Sequence, residues 1–296
     1  MHGTRKFMND QLKRVSDRWL RLRKNVYQYY KIRHIPEKKT VLFILGCQRS
    51  GTTLLAEIFE RDFYNTKVYH EFSPLSSLDR MYKIRLNPLH IVKQEIDQNR
   101  ASLVIVKPLV ESQNALILLN YFENSKALWT YRNYRDVVSS NLTHWGVKNG
   151  INNLRPIVED QPQNWRSENI SEESREIVLS HFSEDMNPYD AAALFWLVRN
   201  RLFFELNLDK NHRVKLCKYE LLIQDPIGTI SQIYEFVGQV YPSYRMPLKV
   251  YKTSTGKGKD IKLSRQIELL CDEMLDRLNH AHALKQQHNT CKNKIT

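Results

Sequence analysis

Arg49 lies inside Val41-Leu-Phe-Ile-Leu-Gly-Cys-Gln-Arg-Ser-Gly-Thr-Thr-Leu-Leu55, where a five-residue apolar run enters a loop bracketed by Gly46 and Gly51. The two glycines permit tight backbone geometry, so successive amides can point at one anion. A helix opening near Thr52 adds the positive end of its dipole. The pattern predicts a phosphate cradle. Its Gly-x4-Gly spacing is that of a P-loop, yet the position where a nucleotide triphosphatase needs Lys carries Thr52, and the cation has moved to Arg49. Lys at that position reaches β- and γ-phosphates, whereas an Arg within the loop lies against a shorter anion. ATP is therefore not the expected ligand.

A second anion motif follows the apolar run Ala127-Leu-Trp-Thr-Tyr131. Arg132 ends that run, and Ser140 lies eight residues on, about two helical turns into the next helix, so the two side chains converge on one phosphate. Lys107 closes the run Leu103-Val-Ile-Val106 and should project at the carboxyl edge of a sheet, where open α/β folds bind ligands. Candidate bases are the neighbours His70 and Glu71, after the short run Thr66 to Tyr69. No strand near the cradle ends in an Asp placed to hold magnesium, and no metal is expected.

Together these motifs resemble the sulfotransferases that use 3′-phosphoadenosine 5′-phosphosulfate (PAPS). Gln48-Arg-Ser-Gly-Thr-Thr53 is similar to that family's 5′-phosphosulfate loop, and Arg132 with Ser140 to its 3′-phosphate motif. The likeness runs in motif order over roughly residues 40 to 265, with Gln48 where the family often has Pro and a large Tyr134 after the second motif. It implies transfer of a sulfuryl group from PAPS to an acceptor hydroxyl, with 3′,5′-ADP as product. Such chemistry asks for a base, cations on the leaving phosphate and sulfuryl oxygens, and a positioned donor.

Arg49 and Lys107 are the expected cations, Lys107 as a clamp on the sulfuryl group. Many cytosolic members place a His just beyond that Lys, and Lys107-Pro-Leu109 has none. Protein-tyrosine sulfotransferases and some bacterial relatives instead carry a Glu about twenty residues after the loop Arg, and Glu71 stands 22 after Arg49. The resemblance thus favours Glu71 as base, with His70 in reserve. Tyr251 to Lys259 is similar to the Gly/Lys segment that closes over the donor, so Lys257 or Lys259 is expected to meet a phosphate. The acceptor, whether small molecule, glycan, lipid or peptide, is left open.

The elements that must position these residues alternate as in a parallel sheet. Strands are expected at Val41 to Leu45, Thr66 to Tyr69, Leu103 to Val106, Ala127 to Tyr131 and Val214 to Cys217, with a helix from Thr52 to about Phe63. The fold class is α/β, three layers with a central parallel sheet and a P-loop-like phosphosulfate loop. Asn187-Pro188 and Asp225-Pro226 each put a capping side chain ahead of Pro at a helix start, and Gly238 supplies a stop. Residues 40–285 read as one domain. Within it the polar segment 146–186 is expected to be a partly helical acceptor cap, with His144, Trp145 and Trp165 as candidate lining. A helix is expected over Leu263 to Leu278, and residues 286–296 as a disordered tail.

With 42% hydrophobic residues the 296-residue chain has material for a sizeable core. Its four cysteines lack metal-ligand spacing, so neither zinc nor disulfides are expected. No apolar run approaches 18 residues and no leader pattern appears, which predicts a cytoplasmic protein, with a membrane-peripheral location as the alternative. The net charge of +13 is uneven: residues 1 to 40 hold 12 Lys and Arg against Asp10, Asp17 and Glu37. There Leu12, Val15, Trp19, Leu22, Val26 and Tyr29 form one apolar stripe on a basic amphipathic N-terminal helix, assigned to residues 1–39. The stripe is expected to pack on the domain with the basic face solvated; the alternative is membrane contact through residues 10–33. Charge alone does not make a nucleic-acid site, and no recognition signature accompanies it. Two other functions fit less well: a P-loop small-molecule kinase, which Thr52 argues against, and a non-enzymatic nucleotide-binding protein of the membrane surface.

Overall fold

The computed structural model describes residues 19, 22–30, 36, 38–62, 65–79, 83–242 and 255–292. A helix over residues 22–30 (α1) precedes strand β1 (Thr40–Gly46) and helix α2 (Thr52–Glu60). Next come β2 (Thr66–Tyr69), the short pair β3 (Ser76–Asp79) and β4 (Lys83–Leu86), α3 (Leu89–Gln98) and β5 (Leu103–Val106). A 3-10 turn at Ser112–Asn114 leads into α4 (Ala115–Tyr121), β6 (Ser125–Tyr131) and α5 (Tyr134–Trp145). The remainder is α6 (Asn149–Val158), α7 (Glu172–His181), α8 (Pro188–Glu205), β7 (Val214–Lys218), α9 (Tyr219–Gln224), α10 (Pro226–Phe236) and α11 (Arg265–Lys292).

Five strands form one parallel sheet in the order β2-β5-β1-β6-β7. Period-two alternation sorts their side chains into two cores. Val41, Phe43 and Leu45 of β1 and Val104 and Val106 of β5 face the larger one, with α3, α4, α5, α8 and α11. Leu42 and Ile44, with Leu103 and Ile105, face the smaller one against α2, α9 and α10. Strands apolar on both faces need helices on both faces, and the three-layer α/β/α architecture follows. β1 lies between β5 and β6, at the point where strand order reverses, so the crevice at its carboxyl end is where an open α/β sheet binds ligands.

The expected capping sites are used: Asn187 accepts from Tyr189 N at 2.9 Å and Asp225 from Gly228 N at 2.9 Å. Three expectations differ. α2 stops at Glu60, and Phe63 lies outside the described residues. α11 runs to Lys292, beyond Leu278 and through part of the expected tail. Cys271, Met274, Leu278 and Ala281 keep a buried stripe on it. Lys285 then donates to the carbonyls of Leu208, Asn211 and Val214 at 3.1, 2.9 and 2.8 Å, which anchors the later turns.

The third difference is α1, which packs the other way round from the amphipathic expectation. Lys24 is buried, and its Nζ donates to Phe59 O at 3.4 Å, Glu60 O at 3.2 Å and Thr66 Oγ1 at 2.7 Å. Gln28 donates to Thr66 O at 2.8 Å. An ammonium at the carbonyl end of α2 meets the negative end of that helix dipole, so the polar face docks. Trp19, Leu22, Val26 and Tyr29 are left exposed; Leu12 and Val15 lie outside the described residues.

Candidate active site

β1 ends at Gly46, whose φ of 127° is open only to glycine; a Cβ there would lie 2.2 Å from Thr130 O on neighbouring β6. Ser112 fixes this turn from the far side, accepting from Gly46 N at 2.9 Å and donating to Gly46 O at 3.0 Å. The loop then passes through Arg49, itself left-handed at φ 67°, to Gly51 at φ 97°. A Cβ on Gly51 would stand 2.4 Å from the ring of Tyr219. α2 opens directly after it with no capping side chain and no acid in its first turn. Its first amides therefore stay available to an anion.

These features border a cavity of about 510 Å³ lined by Arg49, Gly51, Thr52, Thr53 and Leu54 from the loop and α2. Arg132, Ser139, Ser140, Thr143 and His144 line it from α5 and the residues before it, with Tyr219 and Lys257. Both sequence motifs thus meet in one space of small-ligand size. Arg49 Nε donates to Ser140 Oγ at 2.9 Å, and Arg132 Nη1 to Arg49 O at 3.4 Å. Arg132 lies over the Tyr219 ring at 4.4 Å and pairs with Asp136 at 3.3 Å. Arg49 lies 5.4 Å from the Trp145 ring. Burial first, and then the Arg132 charge, pull the Arg49 guanidinium below its ordinary value. Two guanidiniums pressed together in this way favour an anion between or beside them.

Asp136 joins this group to the Gly/Lys segment. Its Oδ2 accepts from Gly256 N and its Oδ1 from Gly258 N, both at 2.9 Å. Gly258 lies flat on α5, where a Cβ would come within 2.2 Å of Arg135 C and O. Arg135 Nη1 holds the following turn at Ile261 O, 3.0 Å away, and Ser139 Oγ donates to Lys257 O at 3.4 Å. Lys257 is exposed and lines the cavity; Lys259 is exposed and does not line it.

Lys107 is buried at the end of β5, where its amide donates to Tyr69 O at 2.9 Å and its Nζ pairs with Glu71. Burial, followed by the charge of Arg49, pushes its ammonium down to about 8, with Glu57 opposing. The Glu71 carboxylate in contact with it also favours the charged form. Lys107 and Glu71 are therefore brought together, close enough to Arg49 to feel its field. His70 points elsewhere: its Nε2 is 3.6 Å from Glu60, in a separate cavity of about 280 Å³ shared with Lys24 and Phe72.

Within the loop, Gln48 is half-buried and Ser50 almost wholly so, and neither lines the cavity. Ser50 N donates to Cys47 O at 3.3 Å, and its buried Oγ has no partner among the described residues. Trp165 is 1% exposed, against Phe195 and with Arg166 over its ring at 4.5 Å; it is core, not pocket lining. His144 and Trp145 stand instead beside the anion cavity. No residue of 146–186 lines that cavity. Glu168 of this segment accepts from Arg85 at 2.9 Å and Gln113 at 2.8 Å, bracing the turn that carries Ser112.

Sequence reasoning missed Tyr219, Asp136 and Ser112. Asp136 carried a signal, an acid in the first turn of the helix that follows Arg132. Tyr219 had only its place beyond β7 at the carboxyl edge of the sheet, and Ser112 none.

The model of the sulfotransferase domain family matches residues 39–296. The chain belongs to the sulfotransferase family. No curated protein matches it in sequence. Among solved structures, the sulfotransferase domain from the curacin biosynthetic pathway shares the fold at 16% identity and a TM-score of 0.52, covering 82% of this chain and 99% of that one. Others are a sulfotransferase from Alicyclobacillus acidocaldarius (15% identity, TM-score 0.48, 84% and 97% covered) and mouse SULT7A1 complexed with PAP (13%, 0.43, 85% and 88%). This sulfotransferase is thus a transferase, and the general reaction of its family is sulfuryl transfer from PAPS.

Proposed function

We propose that this sulfotransferase binds PAPS across the two joined motifs and transfers its sulfuryl group to an acceptor hydroxyl. The 5′-phosphosulfate lies on Arg49, the loop and the first amides of α2, with Thr52 and Thr53 adding hydroxyls. Arg132 and Ser140 read the 3′-phosphate, and Lys257 closes over the nucleotide. The observation that carries this reading is the bond from Arg49 to Ser140, 91 residues apart, which makes the two motifs one anion site.

In the transfer, the acceptor oxygen bonds to sulfur while the bond from sulfur to the 5′-phosphate oxygen breaks, its electron pair passing to the bisphosphate. Arg49 and the loop amides offset that developing charge. Glu71 takes the acceptor proton and Lys107 holds the sulfuryl oxygens. Both roles require their mutual ion pair to open: as Lys107 turns to the sulfuryl group, Glu71 loses the partner that suppresses its basicity. The acceptor approaches from the Glu71 side, as a hydroxyl of a small molecule, glycan, lipid or peptide.

Incubation of candidate acceptors with PAPS bearing heavy sulfur, followed by mass spectrometry, tests the assignment. Labelled sulfate ester and adenosine 3′,5′-bisphosphate should appear together, and both should form about 10²- to 10⁴-fold more slowly in Glu71→Gln. Phosphorylated product from ATP, with PAPS untouched, would favour the kinase alternative.

A further inference from the structure

The exposed face of α1 has the composition of a surface that enters a membrane interface. Trp19 is 62% exposed, Leu22 54%, Val26 48%, Tyr29 62% and Tyr30 73%, while Lys24 and Gln28 of the same helix are buried. A surface helix ordinarily buries its apolar stripe; here polar anchors hold the helix and the apolar stripe faces outward. Phe72, 87% exposed, borders the cavity on the other side of the helix, with Lys24 and Asn25, and is not part of this stripe.

We propose that this face docks on an anionic membrane surface. Charge complementarity selects that occupant. Residues 1–40 carry 12 Lys and Arg against three acids, so basic groups surround the apolar stripe in sequence, and Arg23 is exposed within it. Anionic lipid attracts such a segment, Trp and Tyr settle at the headgroup level, and Leu and Val enter the acyl boundary. A second copy would bring an identical positive segment against the first. A nucleic acid matches the charge but leaves Leu22 and Val26 without use.

Sedimentation with vesicles tests it, using the full chain with phosphatidylcholine alone or mixed with phosphatidylglycerol. The chain should pellet with the mixed vesicles and stay in solution with the neutral ones, and added salt should weaken the binding. Leu22→Glu with Val26→Glu should lower partitioning about tenfold or more, since charges replace the inserting groups. Both positions are exposed, so the variant should keep the parent's melting temperature; Trp19→Ala with Tyr30→Ala supplies a second, milder pair. Absence of binding to mixed vesicles would overturn the proposal, as would binding undiminished in both double variants. A dimer that the variants disperse, with no vesicle binding, would assign the face to self-association and overturn it equally.

Discussion

Arg49 donates from Nε to Ser140 Oγ at 2.9 Å, so the loop after β1 and the helix after β6 hold one another before any ligand arrives. Removing the guanidinium should weaken adenosine 3′,5′-bisphosphate binding by about 2 to 3 kcal/mol, the range for a charged hydrogen-bond partner. Because Arg49 sits at φ 67°, Arg49→Ala keeps backbone strain that Arg49→Gly relieves, and both should show the loss in calorimetric titration. Ser140→Ala should cost about 1 kcal/mol. Unchanged affinity in the Arg49 variants would remove it from the site.

Glu71 and His70 are neighbours with different surroundings, one paired with Lys107 and the other beside Glu60. Glu71→Gln should reduce turnover by about 10²- to 10⁴-fold while bisphosphate binding survives, as expected for loss of a general base. His70→Ala should leave turnover within a small factor of the parent. Steady-state kinetics of the two variants side by side decide between them, and the reverse ranking would move the base to His70.

In its proposed role as a clamp on the sulfuryl group, Lys107 acts only while protonated. Burial and Arg49 hold its ammonium down to about 8, so kcat/KM should decline as pH rises through and above that value. Lys107→Arg keeps its charge far into the alkaline range and should extend the plateau, whatever its absolute rate. An identical alkaline limb in both enzymes would assign it to another group.

Gly258 fits against α5 only because it lacks a Cβ, which would stand 2.2 Å from Arg135 C and O. Gly258→Ala should lift the 255–260 turn off Asp136, at a cost of about 1 to 3 kcal/mol in donor affinity. Trypsin should cut after Lys257 and Lys259 sooner than in the parent. Donor affinity and cleavage rate equal to the parent's would show that this contact does not position the turn.

Much of the scaffold was legible because apolar strands buried on both faces read as unbroken runs. Thr66–Tyr69 and Leu103–Val106 have the expected bounds, and Ser125–Tyr131 and Val214–Lys218 enclose theirs. The two segments that meet at the cavity stood out because glycine brackets and an eight-residue Arg/Ser spacing are local. What sequence hid was set by tertiary contact. β3 and β4 are four residues each and form a two-stranded sheet of their own among the described residues. Tyr219 acts by lying over Arg132 and against Gly51, contacts that span more than 80 residues of chain. The α1 stripe was read correctly as apolar, but its orientation depended on Lys24 finding the end of α2, which no helical periodicity encodes.

Calorimetric titration of the parent and Arg132→Ala with adenosine 3′,5′-bisphosphate, adenosine 5′-monophosphate and ATP with magnesium tests the joined anion site most directly. The parent should bind the bisphosphate about a hundredfold more tightly than the monophosphate, roughly 2.7 kcal/mol, and more tightly than ATP. Arg132→Ala should erase that preference while leaving the weak binding of the monophosphate nearly intact. Equal losses for both adenylates, or ATP with magnesium as the tightest ligand of the parent, would contradict the reading of Arg132 and Ser140 as the 3′-phosphate site.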